Sequence, residues 1–161
     1  MNVDIRQTDA VDVVADCGKL DEWEDESVDL VYACHLLDQF TRHEYMNVLR
    51  TWYRKLKPKG VLRLSCVDFE QVALRYQEQR NLRELIGLLH ARQDYPTNTR
   101  HYSWDWRTIT EDLKAAGFRL VRPWNWRYTE HSGVDDCSRA FLPPMSFETG
   151  QIMSLNCEGI K

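Results

Sequence analysis

No apolar run in this sequence approaches the roughly 18 residues that span a bilayer, so a membrane helix is excluded and no membrane partner is expected. Neither G-x-G-x-x-G nor G-x-x-x-x-G-K-[ST] occurs, and glycine is scarce at 7 residues, so nothing supports a phosphate cradle. No C-x-x-C pair occurs either. The cysteines, Cys17, Cys34, Cys66, Cys137 and Cys157, are odd in number and scattered, which fits reduced, mostly buried thiols better than a disulfide framework or a zinc site. There is no excess of positive charge: 21 Lys+Arg face 25 Asp+Glu, a formal net charge of −4, which argues against nucleic acid held by bulk charge. The opening MNVDIRQTDAVDVVADCGK is acidic where a signal peptide is basic and then apolar, so a cytoplasmic location is expected. Repeats, linkers and low-complexity tracts are missing, and 161 residues with 43% hydrophobic content read as a single domain, 1–161.

What is present is an alternation of short apolar runs and amphipathic ones. Val11–Ala15 and Val28–Ala33 read as strands. From Thr41 to Leu56, Tyr45, Val48, Leu49, Trp52, Tyr53 and Leu56 recur at helical spacing, and Pro58 and Gly60 stop the helix before the strand Val61–Val67. Asp68 is placed to cap the next helix, with Phe69, Val72, Ala73 and Tyr76 on one face, and Leu82, Leu85, Ile86 and Leu89 mark another. Gln93–Ser103 is loop-like around Pro96. Asp105–Ala116 predicts a helix burying Trp106, Ile109, Leu113 and Ala116, ended by Gly117. Phe118–Trp124 and Ile152–Ile160 predict the last strands. The order gives an α/β fold with a mostly parallel sheet, helices on both faces and an antiparallel pair at the end.

Ligands of open α/β sheets sit beyond the carboxyl ends of the strands, so the residues there carry the functional signal. They are Asp4, Asp16-Cys17, Ala33-Cys34-His35 and Asp68. Carboxylates at successive strand ends accept hydrogen bonds from ribose hydroxyls and an exocyclic amine, a chemistry for holding a nucleoside rather than a phosphate. The stretches NVDIRQTDAVDVVAD and SVDLVYACHLLDQFTRHEYMNVLRTWYRKLKPKGVLRLSCVDF resemble class I S-adenosylmethionine-dependent methyltransferases of the methyltransferase type 11 kind, and the likeness continues through ETGQIMSLNCEGIK.

That resemblance implies a Rossmann-like sheet and S-adenosylmethionine as cofactor. It implies that Asp4, with Ile5, holds the ribose, that Asp16 and Cys17 hold the adenine, and that Ala33, Cys34 and His35 face the methionine part and the acceptor. His35 is the candidate catalytic residue, a general base or substrate contact, with a hydrogen-bonded histidine at a strand end as the structural alternative. The sequence begins at the position where the family's second strand stands, so the first strand and its glycine-rich loop are not in it, and Asp38-Gln39 stands where the family has Glu-His. Two readings follow. One is a methyltransferase with an incomplete cofactor site, acting on an unidentified small-molecule acceptor. The other is a non-catalytic relative serving as an assembly or binding module, with open sheet edges that drive homodimerisation. The aromatic and polar segment Trp124–Asp136 reads as a substrate-side lid or ordered loop, with a metal site at Glu130, His131 and Asp135 as the weaker alternative.

Overall fold

The computed structural model describes residues 1–130 and 132–161. Its strands are β1 (Val3–Asp4), β2 (Val13–Val14), β3 (Val28–Cys34), β4 (Leu56–Val67), β5 (Leu120–Pro123), β6 (Phe141–Leu142), β7 (Gln151–Ile152) and β8 (Ser154–Ile160). The helices are α1 (Tyr45–Lys55), α2 (Phe69–Gln79), α3 (Leu82–His90) and α4 (Trp106–Ala116). No described helix is long and apolar enough to cross a membrane.

The main sheet runs β3-β4-β8-β5. β3 and β4 are parallel, whereas β8 is antiparallel to both of its neighbours. Three strands therefore point one way and β8 alone is reversed between two of them. This corrects the expected mostly parallel sheet: a reversed strand placed in the interior turns two of the three pairings antiparallel. β1 and β2 form a separate parallel ribbon.

α1 forms because its apolar positions fall on one stripe, and Val48, Leu49 and Trp52 are buried. Leu56 is already extended, and Lys57, directly before Pro58, is kept out of the helical region, so the helix runs straight into β4. α4 starts with a capping box in which the Asp105 carboxylate accepts from the Thr108 N–H at 2.7 Å. It ends at Gly117, whose φ of +119° suits glycine. Asp68 caps α2 as the sequence suggests, accepting from the Glu70 N–H at 3.0 Å. Trp106, expected in the core, is 39% exposed, and Trp104 takes the buried place with its indole N–H on Asp112 at 2.9 Å.

Helices do not cover both faces equally. α1 and α4 pack on the face formed by Leu62, Leu64, Cys66, Leu155 and Cys157, where the main core lies. A second, smaller core joins Val67 and Met153 to Val72 and Leu85 of α2 and α3 at one end of β4. The rest of the opposite face is polar and is covered by the irregular segments 124–130 and 132–140. Arg63 Nε donates to Glu158 at 2.8 Å, Ser65 to Asn156 at 2.6 Å, Tyr32 to Asp136 at 2.6 Å, and the Trp124 indole to the Leu64 carbonyl at 2.9 Å. Helices thus lie on both faces, but on this one only α2 and α3 at one end, because the connections β1–β2 and β2–β3 contain no helix to cover the rest.

The cysteines are all free; Cys66 and Cys157 are buried, Cys17 and Cys34 are intermediate, and Cys137 is exposed. Of the residues weighed as a metal site, Glu130 accepts from Arg63 at 2.7 Å and Asp135 pairs with Arg139 at 2.8 Å, while His131 lies outside the described residues.

Candidate active site

β1, β2 and β3 all end at one cleft of about 510 Å³, within the range of small-molecule sites. Its walls bring together Asp4, Ile5, Asp16, Cys17, Ala33, Cys34 and His35. These seven residues border one space, whereas Asp68, the remaining strand end, caps α2 and is not among its walls.

Asp4 closes a tight turn, accepting the Arg6 N–H on Oδ1 at 2.7 Å. Asp16 closes another, accepting the Gly18 N–H on Oδ1 at 2.9 Å, and its Oδ2 lies 3.2 Å from Lys19 Nζ. Both carboxylates are partly exposed, at 41% of the side chain each, so they stay solvated while they wait for a ligand. Among the described residues no hydrogen bond reaches Asp4 Oδ2 or the Cys17 N–H. The Cys17 carbonyl is tied to the core by the Trp52 indole N–H at 2.7 Å, which fixes the Cys17–Gly18 peptide that follows that N–H. Burial, helped by Asp4 and Asp16, pushes the Cys17 thiol up, so it stays protonated.

His35 is buried, with φ of +49°, at the point where β3 turns into the cleft. Its Nδ1 lies 3.0 Å from Arg100 Nη2. A guanidinium can only donate, so Nδ1 accepts and the ring is the neutral Nε2–H tautomer. Nε2 then donates towards Ser154 Oγ at 2.9 Å and the Cys137 carbonyl at 3.2 Å. Asp38 Oδ2, 3.7 Å from Nδ1, therefore makes no ion pair with the ring; it takes the Arg100 Nε–H at 2.8 Å instead. Burial first, then the Arg100 charge, hold His35 down to about 4. Burial raises the Asp38 carboxyl and Arg100 opposes that shift. With both nitrogens engaged, the ring has none left to take a proton from a ligand in the cleft.

Sequence reasoning missed the roof of the site. The loop before α4 brings Tyr95, Pro96, Thr97 and His101 over the strand ends. The Arg6 guanidinium lies over the Tyr95 ring at 3.7 Å, a cation–π contact across the mouth. Arg100 reaches back from this loop to His35, Asp38 and the Gly87 carbonyl. No periodicity signals such contacts; a proline-containing loop too long for a simple turn was the one visible hint.

Residues 2–64 match the family model of the methyltransferase domain. Among solved structures, a S-adenosylmethionine-dependent methyltransferase from Archaeoglobus fulgidus is similar with a TM-score of 0.56 at 14% identity, over 92% of this chain and 66% of that one. One from Thermotoga maritima gives 0.52 at 16% identity, over 91% and 62%. The 1,6-didemethyltoxoflavin-N1-methyltransferase of Burkholderia thailandensis, solved with its substrate and S-adenosylhomocysteine, gives 0.52 at 13% identity, over 92% and 49%. The chain thus spans from about half to two thirds of the length of these relatives. No curated protein sequence matches. Between them, the matched segment and the shared architecture give this chain the class I fold of S-adenosylmethionine-dependent methyltransferases.

Proposed function

We propose that this class I methyltransferase-fold chain binds S-adenosylmethionine in the 510 Å³ cleft and passes its methyl group to a small-molecule acceptor. The observation that carries the reading is the convergence of Asp4, Asp16 and the Cys17 N–H on one cleft, with Asp4 Oδ2 and that N–H unengaged. A carboxylate of this kind accepts hydrogen bonds from the pair of ribose hydroxyls. The amide can donate to a ring nitrogen of adenine while Asp16 accepts from the exocyclic amine. Ala33 and Cys34 border the far end, where the sulfonium would lie. Burial, foremost, holds the Cys34 thiol up at about 12, so it presents no competing thiolate to the methyl donor.

Methyl transfer asks little of the protein beyond alignment. The acceptor's lone pair forms the new bond to carbon as the carbon–sulfur pair returns to sulfur, and the acceptor's proton, where it has one, leaves to solvent. His35 serves this step as a positioning residue: it ties the end of β3 to Arg100 and so to the loop that roofs the cleft.

Calorimetric titration with S-adenosylhomocysteine tests the proposal. Saturable binding is expected, weakened on the order of tenfold or more in Asp4→Asn, the effect of losing a hydrogen bond to a charged group. Absence of heat from a folded sample refutes it and leaves the binding-module reading.

A further inference from the structure

Next to His35 lies a second cavity, of about 430 Å³, within the range of small-molecule sites. Its walls come from the end of α3, from the roof loop between Arg92 and Arg100, and from Cys137 and Ala140. His35 and Tyr95 line both this cavity and the cleft. His35 follows Cys34 directly in the chain, so the two spaces meet at the end of the cleft that Ala33 and Cys34 border.

Given the methyl transfer proposed above, on which this reading rests, we infer that the acceptor is a carboxylate with an apolar body, seated in this cavity with its carboxylate on Arg92 and its opposite end towards His35. Among the described residues the Arg92 guanidinium meets no hydrogen-bond or ion-pair partner, so it is a cation free to take a carboxylate. Arg100, the other guanidinium of the lining, is already held. Three of its five N–H groups go to Asp38 at 2.8 Å, the Gly87 carbonyl at 2.8 Å and His35 at 3.0 Å, which fixes this wall and leaves two unspent. Asp94 is the one carboxylate among the described walls, and it accepts the Asn98 amide at 2.5 Å. Leu88, Ala91 and Ala140 supply apolar surface for the body.

Arg92 lines this cavity and not the cleft. The carboxylate therefore anchors the acceptor away from the sulfonium, and the methyl group goes to the other end. There the acceptor's lone pair bonds to the methyl carbon, the carbon–sulfur pair stays on sulfur, and any proton on the accepting atom passes to solvent.

The test titrates phenylacetate and hexanoate into the whole chain saturated with S-adenosylhomocysteine and follows backbone amide shifts by NMR. Phenylacetamide and hexanamide are the uncharged controls. Saturable shifts within 88–98 and 137–140 are expected for at least one carboxylate, with affinity at least about tenfold above that of its amide. The exposed Arg92→Gln should bind that carboxylate at least about fivefold more weakly. No saturation by either carboxylate up to roughly 20 mM, or equal affinity for the amide or in Arg92→Gln, overturns the inference. Displacement of S-adenosylhomocysteine overturns it too, since the carboxylate then lies in the cleft. Failure of S-adenosylhomocysteine itself to bind, read from its own heat, refutes the cofactor reading and the acceptor role with it. Failure of the carboxylates with S-adenosylhomocysteine bound refutes the acceptor class alone.

Discussion

Acidification from pH 7 to pH 4.5 should destabilise this protein through one side chain, His35. In the unfolded chain the imidazole titrates at its ordinary 6.5, whereas in the fold it is held down to about 4 by burial and by Arg100. Between these values the unfolded chain binds a proton that the folded chain refuses, so stability falls as pH drops through that window and levels off below it. The full difference of 2.5 pH units corresponds to roughly 3 kcal/mol, of which about 2.5 kcal/mol is lost by pH 4.5. Asp38 works the other way, since burial raises its carboxyl, but it does so equally in a variant that changes only the ring. The comparison is therefore between the wild type and His35→Gln, whose amide can accept from Arg100 and donate towards Ser154 without taking up a proton. Urea unfolding of both proteins at the two pH values should show a wild-type loss larger by about 2.5 kcal/mol than that of the variant. Equal losses would refute the assignment of a neutral, acceptor Nδ1.

Arg63→Met leaves the buried Glu158 carboxylate with only the half-exposed Arg122 and should cost about 3 kcal/mol, with the Arg63→Met/Glu158→Gln double variant costing less than the single; urea unfolding decides. Gly117→Ala places a methyl 2.9 Å from the Tyr53 ring at a φ of +119°, so the melting temperature should drop by about 4–8 °C, corresponding to roughly 2 kcal/mol. Asp105→Ala removes the capping box of α4 and should cost about 1 kcal/mol in the same measurement, with Asp105→Ser recovering most of it.

The elements legible in the sequence were those whose signal is local. Val48, Leu49 and Trp52 form a stripe because Trp52 follows Leu49 by three residues and Val48 by four, and Pro58 and Gly60 mark the stop whatever lies elsewhere. The strand ends were legible too, and Asp4, Asp16 and His35 do meet at one cleft. What escaped is long-range. Arg100 stands 65 residues from His35 and Tyr95 stands 89 residues from Arg6, in a loop with no periodic pattern, so the partner that sets the charge state of the ring was invisible. The partners of Arg63 and Ser65 were not legible either, since Glu158 and Asn156 stand opposite them only once the register of β4 with β8 is fixed. The expected antiparallel pair of last strands is β5 with β8, but the insertion of β8 between β5 and β4 was not legible. An alternating strand looks the same read either way, and only its neighbours reveal that it lies reversed in the interior.

That interior position of β8 has a consequence for how the protein is made. β4 emerges from the ribosome about ninety residues before β8, and β5 about thirty-five before it, yet β4 lacks its second neighbour and β5 its first until β8 slides between them. α1 and α4 can coil as they appear, but the floor beneath them stays open. The sheet therefore closes in a late step of high sequence separation, which is intrinsically slow. Until then the edge of β4 from Val61 to Val67 carries unpaired main-chain groups, a surface for chaperones to hold and the place where aggregation would begin.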